Sequence, residues 1–166
     1  MEIKDFKSEL YALKDKVLRF AFCMMNDSAD AEDVAQEVLL KLWSKRDGLK
    51  EVKNLEAYAM RMVRNMSLNK LEAPRRRQDS IEDVTLIDQK ASPLKVAEDK
   101  DLLSIMQSII QSLPENQRTV VQLRSIEGYA LDEVAEITEM TENNVRVTLS
   151  RARQKIKEIF DGKYQS

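Results

Sequence analysis

The sequence of 166 residues contains no histidine and a single cysteine, Cys23. It therefore lacks the residues from which zinc sites, disulfides or histidine-assisted catalytic triads are built. Gly and Pro occur only three times each, and no segment shows the Val, Ile and Thr alternation of a strand. The remaining composition favours helix nearly throughout. We expect an all-α protein in which Cys23 packs in the first helix.

Long apolar runs are also missing. The N-terminal segment MEIKDFKSEL is polar, and no run reaches the length of a signal-peptide core or a membrane span. We expect a cytoplasmic protein with no membrane insertion. The net charge of -2 is unusual for a protein that binds DNA by itself, so nucleic-acid affinity requires local basic patches or a larger assembly.

Residues 129–153, YALDEVAEITEMTENNVRVTLSRAR, predict two short helices joined by a turn, which is a helix-turn-helix. In the first helix Leu131, Val134, Ala135 and Ile137 recur at helical spacing, and Met140 fills the turn. Thr141 is a good N-cap for the second helix. The core face of that second helix is formed by Val145, Leu149, Ala152, Ile156 and Phe160.

The opposite face of the second helix is rich in amides and cations. It carries Asn143, Val147, Ser150 and Arg151, with Asn144, Arg146 and Arg153 beside them, and no acid occurs from Arg146 to Lys157. Amide and guanidinium groups are suited to reading base edges. The alternative is that this is only a solvated helix face. Helix-turn-helix pairs also occur in helical bundles that never bind DNA.

The N-terminal half predicts three helices. The first runs from about Ile3 to Met25. The second follows the turn 26–28 and is ended by Gly48; it buries Ala31, Val34, Ala35, Val38 and Leu42, and it exposes Asp30, Asp33, Gln36, Glu37 and Lys41. The helix dipole alone also explains acids at a helix start.

The third helix is predicted from about Leu55 to Leu71, with Leu55, Ala59, Met62 and Met66 buried. Six basic residues and one acid lie between Arg61 and Arg77, an edge suited to a phosphate backbone, although a solvated helix end is the simpler explanation. Residues 78–93 lose helical periodicity and predict a flexible linker. A fourth helix, about Leu94–Leu113, is stopped by Pro114, and a fifth buries Val120, Val121, Leu123 and Ile126 before Gly128.

Two segments in chain order, residues 30–43 (DAEDVAQEVLLKLW) and 113–156, resemble the extracytoplasmic-function (ECF) sigma factors of bacterial RNA polymerase. AYAMRMVRNMSLNKL is similar to that family's promoter-melting segment. The resemblance implies sigma domain two at residues 1–77, a linker at 78–93 and sigma domain four at 94–166. It implies a transcription initiation factor that performs no covalent chemistry, with no catalytic residue, metal or cofactor.

The resemblance also implies partners and sites. The partners are core RNA polymerase, through its beta-prime coiled coil and beta flap, promoter DNA and an anti-sigma factor. The polymerase site is Asp30, Asp33, Gln36, Glu37 and Lys41. The minus-ten site is Lys50, Lys53, Asn54, Tyr58, Arg61, Arg64, Asn65 and Asn69. The minus-thirty-five site is Thr141, Asn143, Asn144, Arg146, Val147, Ser150, Arg151 and Arg153. The acidic linker would occupy the RNA channel of the polymerase.

Three positions depart from the family pattern. Glu139 replaces a Gly in the recognition turn and is strained if its backbone is left-handed. Ala130 replaces a hydroxyl cap, and Asn69 replaces an acid. Two other functions compete: a one-component regulator that binds a palindromic operator without polymerase, and a helical adaptor that binds only proteins.

Overall fold

The computed structural model describes residues 3–78 and 102–164. Its helices are α1 (Ile3–Met25), α2 (Ser28–Ser44), α3 (Leu55–Gln78), α4 (Leu102–Gln111), α5 (Glu115–Val121), α6 (Leu131–Thr138) and α7 (Glu142–Tyr164), and a π-helical turn, Gln122–Ile126, continues α5. The described part is all-α, as expected. Residues 79–101, which hold most of the predicted linker and the predicted start of helix four, lie outside it. No helix within 3–78 or 102–164 combines the length and apolar character that crossing a membrane requires.

Helices α1, α2 and α3 form an N-terminal unit. The buried residues of α1 step four, three, four, three and four along the chain, which makes one continuous apolar stripe: Phe6, Leu10, Leu13, Val17, Phe20 and Met24. Helix α2 packs its small and branched face on this stripe, and Asp27 caps it by accepting from the Asp30 amide at 2.9 Å. The side chain of Cys23 is buried as expected.

The sequence-based bounds of two helices were wrong. Helix α2 ends at Ser44 rather than Gly48, and residues 45–51 form successive turns. The Arg46 guanidinium donates to the Trp43 carbonyl at 2.9 Å, at the end of the helix. Helix α3 continues past the expected end at Leu71 to Gln78. A proline inside a helix removes one backbone bond, but the residues around Pro74 are mostly strong helix formers.

The buried face of α3 was also only partly predicted. Leu55 and Ala59 are buried, but Met62 and Met66 are half-buried, and the core positions are instead Ala57, Met60 and Val63. Helix α3 contacts α1 and α2 on one side and α6 on another. A helix packed on two sides has no single apolar stripe from which its orientation can be read.

Helices α4 to α7 form a C-terminal unit. Ile109, Ile110, Leu113, Val120, Val121 and Leu123 are buried, and Pro114 stands immediately before α5. Ile126, predicted to be buried, is 49% exposed. The π-helical turn explains this difference, because its wider hydrogen-bond spacing shifts every later side chain around the helix axis. Gly128 follows with φ 83°, a left-handed backbone conformation that glycine adopts without strain.

The two units pack directly on each other. The second half of α1 contacts α5 and the π-helical turn, and α3 contacts α6. At the first contact the Thr119 hydroxyl lies 3.4 Å from the Met24 sulfur, with both residues buried. Buried residues of both units belong to one continuous apolar cluster. The N-terminal and C-terminal units are therefore joined in this structure by a shared core.

Candidate nucleic-acid interface

The exposed face of α7 is fixed by its cap and its core. The Thr141 hydroxyl accepts from the Asn144 amide at 3.1 Å, so the predicted cap is confirmed. Val145, Leu149 and Ala152 are buried, while Ile156 is half-buried against the core. This orientation leaves the whole candidate set exposed: Thr141, Asn143, Asn144, Arg146, Val147, Ser150, Arg151 and Arg153. The structure thus places these amides and cations on one accessible helix.

A basic concavity of about 550 Å³ lies beside this face, where α7 meets the π-helical turn and α6. Its lining contains four cations and no acid: Arg124, Leu131, Arg146, Leu149, Ser150, Arg153, Gln154 and Lys157. Arg124 is held in place by a 2.9 Å bond to the Tyr129 carbonyl. Cations that surround an open concavity suit a phosphate group.

Arg124 was missed by the sequence analysis. It belongs to the helix before the helix-turn-helix, at a position where periodicity indicated only a core segment. A basic residue that follows the buried Leu123 was the one available signal. The fold rather than the local sequence brings Arg124 to Arg146.

The turn before α7 contains the strained residue that the sequence indicated. Glu139 has φ 62° and ψ 30°, which is left-handed backbone that glycine adopts without strain. Ala130 stands at the N-cap of α6 without a side-chain hydrogen bond of its own. Glu133 compensates by accepting from the Ala130 amide at 2.9 Å.

The candidate minus-ten residues lie on α3 and the loop before it. Lys50, Lys53, Arg61, Asn65 and Asn69 are exposed, whereas Asn54, Tyr58 and Arg64 are half-buried. The positions 54, 58, 61 and 65 step four, three and four residues and so share one face of α3. The structure brings these side chains together on one side of α3, where Asn54 contacts Glu133 of α6 and Arg61 contacts Glu139 just after α6.

Asn54 has a structural role that the sequence did not indicate. Its side-chain oxygen accepts from the Ala57 amide at 3.0 Å, which caps α3. Its side-chain nitrogen donates to Glu133 of α6 at 2.9 Å. Both ends of the amide are therefore occupied in this arrangement.

The candidate polymerase face on α2 points outward as expected. Asp33, Gln36, Glu37 and Lys41 are exposed, and Asp30 is half-buried. Lys70 of α3 lies 3.4 Å from Asp33 and 3.9 Å from Asp30. Such exposed pairs contribute little to stability, so the acids remain free to exchange partners.

Leu40, which the sequence analysis did not select, lies on this same face of α2. It is 67% exposed and follows Gln36 and Glu37 by one helical turn. A single exposed apolar side chain is common on protein surfaces, so Leu40 adds an apolar group to this face without marking a binding site by itself. The signal in the sequence was an apolar residue outside the buried stripe of α2.

The ion pair between Arg19 and Glu127 joins the two units and shifts the pKa of Glu127. Arg19 of α1 donates to both oxygens of Glu127 at 2.9 Å, and the Glu127 side chain is only 2% exposed. The hydrogen bond from Arg19 lowers the pKa of Glu127, against the opposing effect of burial. Burial and the nearby Glu56 carboxylate raise the pKa of Tyr129.

The chain matches two family descriptions in order: sigma-70 region 2 over residues 10–78 and sigma-70 region 4 over residues 103–156. It is 26% identical over 162 residues to the RNA polymerase sigma-E factor of Streptomyces avermitilis, covering 98% of this chain and 88% of that one. It is 23% identical over 156 residues to the ECF RNA polymerase sigma factor SigW of Bacillus subtilis, covering 87% and 82%.

The fold also matches a solved structure. The sigma factor RpoE of Bartonella quintana, in complex with the anti-sigma factor NepR, superposes with a TM-score of 0.75 at 21% identity, over 95% of this chain and 98% of that one. The two regions follow the order expected of a sigma factor and cover both units. The chain belongs to the extracytoplasmic-function group of the sigma-70 family, whose members are alternative sigma factors for transcription initiation, and it is not a one-component regulator.

Proposed function

We propose that this sigma factor binds core RNA polymerase through the acidic face of α2 and contacts a promoter at two places. Helix α3 and the loop before it would hold the minus-ten element, and α7 would enter the major groove at the minus-thirty-five element. The observation that carries this proposal is the separation of faces on α7. Its core side is buried, and its amide and guanidinium side is exposed beside a basic concavity.

The chemistry of α7 supports two kinds of contact. Asn and Arg side chains make bidentate bonds to adenine and guanine edges, and the methyl groups of Val147 can meet a thymine methyl. Arg124 and Lys157, at the side of α7, suit phosphates. Base contacts would set the sequence preference, and phosphate contacts would set the position of the helix.

The overall charge supports a dependence on polymerase. With a net charge of -2, the chain weakly repels duplex DNA at long range, so attraction would depend on local cations such as those of α3 and α7. A polymerase that binds the acidic α2 face would neutralise that repulsion and supply the missing positive field. The protein would work in the cytoplasm, where core polymerase and the chromosome are found.

The remaining parts of the proposal follow the family. Sigma domain two would span residues 1–77 and sigma domain four residues 94–166, with the acidic segment 78–93 threading the RNA channel. An anti-sigma factor would hold the protein inactive, as the similar fold bound to NepR suggests. The chain itself would perform no covalent step.

The polymerase site is tested by charge reversal. Changing Asp33 and Glu37 to Lys should reduce retention on immobilised core polymerase and leave far-UV circular dichroism unchanged, because both residues are exposed. A matched control reverses two exposed acids on another surface, Asp5 and Glu9 of α1. Equal retention of wild type and the α2 variant would remove α2 from the polymerase interface.

The promoter site is tested by comparing two arginines in the polymerase-bound state. Replacing Arg151 with Ala should relax preference at one base position if it contacts a base, at about 1–3 kcal/mol for a bidentate pair. Replacing Arg124 with Ala should weaken all promoters alike and make the slope of log affinity against log salt shallower by about one. If neither variant changes promoter binding, α7 does not contact the minus-thirty-five element.

A further inference from the structure

A largely apolar groove lies where α1, α2, α4 and the π-helical turn meet, and we call it the α1–α4 groove. None of its lining residues belongs to the proposed polymerase or promoter sites. Its apolar lining includes Leu18, Phe22, Leu103, Met106, Ile110 and Ile126. Phe22, Leu103 and Ile126 are also among the large apolar side chains that the described residues leave exposed. Exposed apolar groups that share one concavity are typical of a ligand site, whereas scattered ones are not.

The volume of the groove limits the size of its ligand. It measures about 380 Å³, which is within the range of small-molecule pockets. An apolar cavity of about 150 Å³ holds one benzene, or about 25 Å³ for each non-hydrogen atom. At that density the α1–α4 groove accommodates about 15 non-hydrogen atoms.

The side-chain oxygen of Gln111 is a hydrogen-bond acceptor that the protein leaves unused. Gln111 lines the groove, and its Oε1 atom is buried without a hydrogen-bond partner among residues 3–78 and 102–164. A buried acceptor without a donor costs free energy, and a donor that reaches it removes that cost. A ligand with an N–H group gains this bond, whereas a plain hydrocarbon does not.

The charges around the groove favour a cation. Arg19 lines it, but its charge is matched by Glu127, to whose two oxygens it donates at 2.9 Å. Glu32 also lines the groove, is exposed, and forms no ion pair within the part of the chain that the structure describes. Cys23 adds no charge, because burial raises the pKa of its thiol to about 12. The uncompensated charge of the lining is therefore the Glu32 carboxylate.

The apolar part of the lining favours an aromatic body. Phe22 offers a ring for offset or edge-to-face packing, and the Met106 and Cys23 side chains offer sulfur. Sulfur atoms and aromatic rings attract each other beyond their apolar contact area. An aromatic ring uses these neighbours better than an alkyl chain of the same volume.

We propose that the α1–α4 groove binds a small aromatic amine of up to about 15 non-hydrogen atoms. Its ring packs against Phe22 and Met106, its ammonium group lies beside Glu32, and an N–H group donates to the Gln111 Oε1 atom. This site is separate from the proposed polymerase and promoter surfaces, so the two proposals can fail independently.

The test compares three probes that share an indole ring and differ in charge: tryptamine, a cation, tryptophol, its neutral hydroxyl analogue, and indoleacetate, an anion. Each has about 12 or 13 non-hydrogen atoms, which the groove accommodates. Titration of the full chain in proton–nitrogen correlation NMR spectra measures the affinity and shows which amides respond. Tryptamine should bind with a Kd of about 0.1–1 mM and shift amides of the groove. Tryptophol should bind about two- to fivefold more weakly, and indoleacetate more weakly still.

Matched variants test each part of the site. Leu103→Ser should weaken tryptamine binding about three- to tenfold, and Leu102→Ser should not, because Leu102 is equally exposed at 61% but does not line the groove. Gln111→Met should weaken all three probes about three- to tenfold. Gln117→Met should weaken none, because Gln117 also has a buried oxygen without a partner but lies outside the groove. Glu32→Gln should reduce the affinity for tryptamine to that for tryptophol.

Four outcomes would contradict the proposal. Equal affinity of the wild type for tryptamine and tryptophol would remove the cationic class of ligand. Equal losses in Leu103→Ser and Leu102→Ser would place the binding elsewhere. The absence of a saturable shift with any probe would eliminate the site. A dimer in sedimentation equilibrium that Leu103→Ser dissociates, but Leu102→Ser does not, would assign the groove to a second copy of the chain.

Discussion

Removing the guanidinium of Arg19 should destabilise the protein most at neutral pH. Arg19 gives Glu127 two bonds of 2.9 Å, and Gln122 gives it one more at 3.1 Å. The Arg19→Met variant keeps the apolar stem of the side chain. It leaves the Glu127 carboxylate, whose side chain is 2% exposed, with one neutral donor, Gln122. An unmatched buried group of this kind costs about 1–3 kcal/mol. Because the Arg19 side chain is half-exposed, the loss of stability should be smaller than for breaking a fully buried ion pair.

The pH dependence follows from the titration of Glu127. Arg19 lowers the folded-state pKa of Glu127 below its unfolded value of about 4.3, so the pair stabilises the fold above that pH. The contribution is lost as the pH falls through the folded pKa. The free-energy difference between wild type and variant should therefore be largest at about pH 7 and smaller at about pH 4.

Urea denaturation followed by far-UV circular dichroism measures both quantities. The matched control is Lys7→Met, which removes an exposed cation from the same helix and should change the free energy of unfolding by less than about 0.5 kcal/mol. A loss in Arg19→Met no larger than in the control, or one independent of pH, would refute the role of this pair between the units.

Three other perturbations test local features. Thr141→Ala should cost about 1 kcal/mol by removing the cap of α7, and Lys155→Ala, within the same helix, should cost almost nothing; equal midpoints in urea would contradict this. Gly128→Ala should cost about 1 kcal/mol because φ is 83°, whereas Gly162→Ala should stabilise α7 slightly; thermal midpoints that move in the same direction would oppose the backbone argument. At about pH 8 the Cys23 thiol should react with an aromatic disulfide only after unfolding, because burial raises its pKa to about 12; rapid reaction of the native chain would show that the site is accessible.

Local patterns were enough to predict most helices and the exposed face of α7. The helix bounds of α1, the Thr141 cap and the buried residues Val145, Leu149 and Ala152 all depend on neighbours within one or two turns. The left-handed backbone of Glu139 was indicated by the family resemblance, because a Gly is usual at that place in the turn.

Features that depend on distant packing were not predictable. The π-helical turn that exposes Ile126 has no local signal, and the core positions Met60 and Val63 depend on α3 packing against two sides. Arg61 and Glu139 are 78 residues apart, and nothing in the sequence of either helix specifies the other as its partner. Contacts between the two units are therefore visible only in the folded structure.

Transcription in vitro from promoter-containing DNA, with core polymerase and with or without this chain, tests the central claim most directly. The account predicts transcripts with defined start sites only when both components are present, and their loss when Asp33 and Glu37 are changed to Lys. Core polymerase that gains no start site from the chain, together with tight binding of the free chain to a palindromic duplex, would contradict the account.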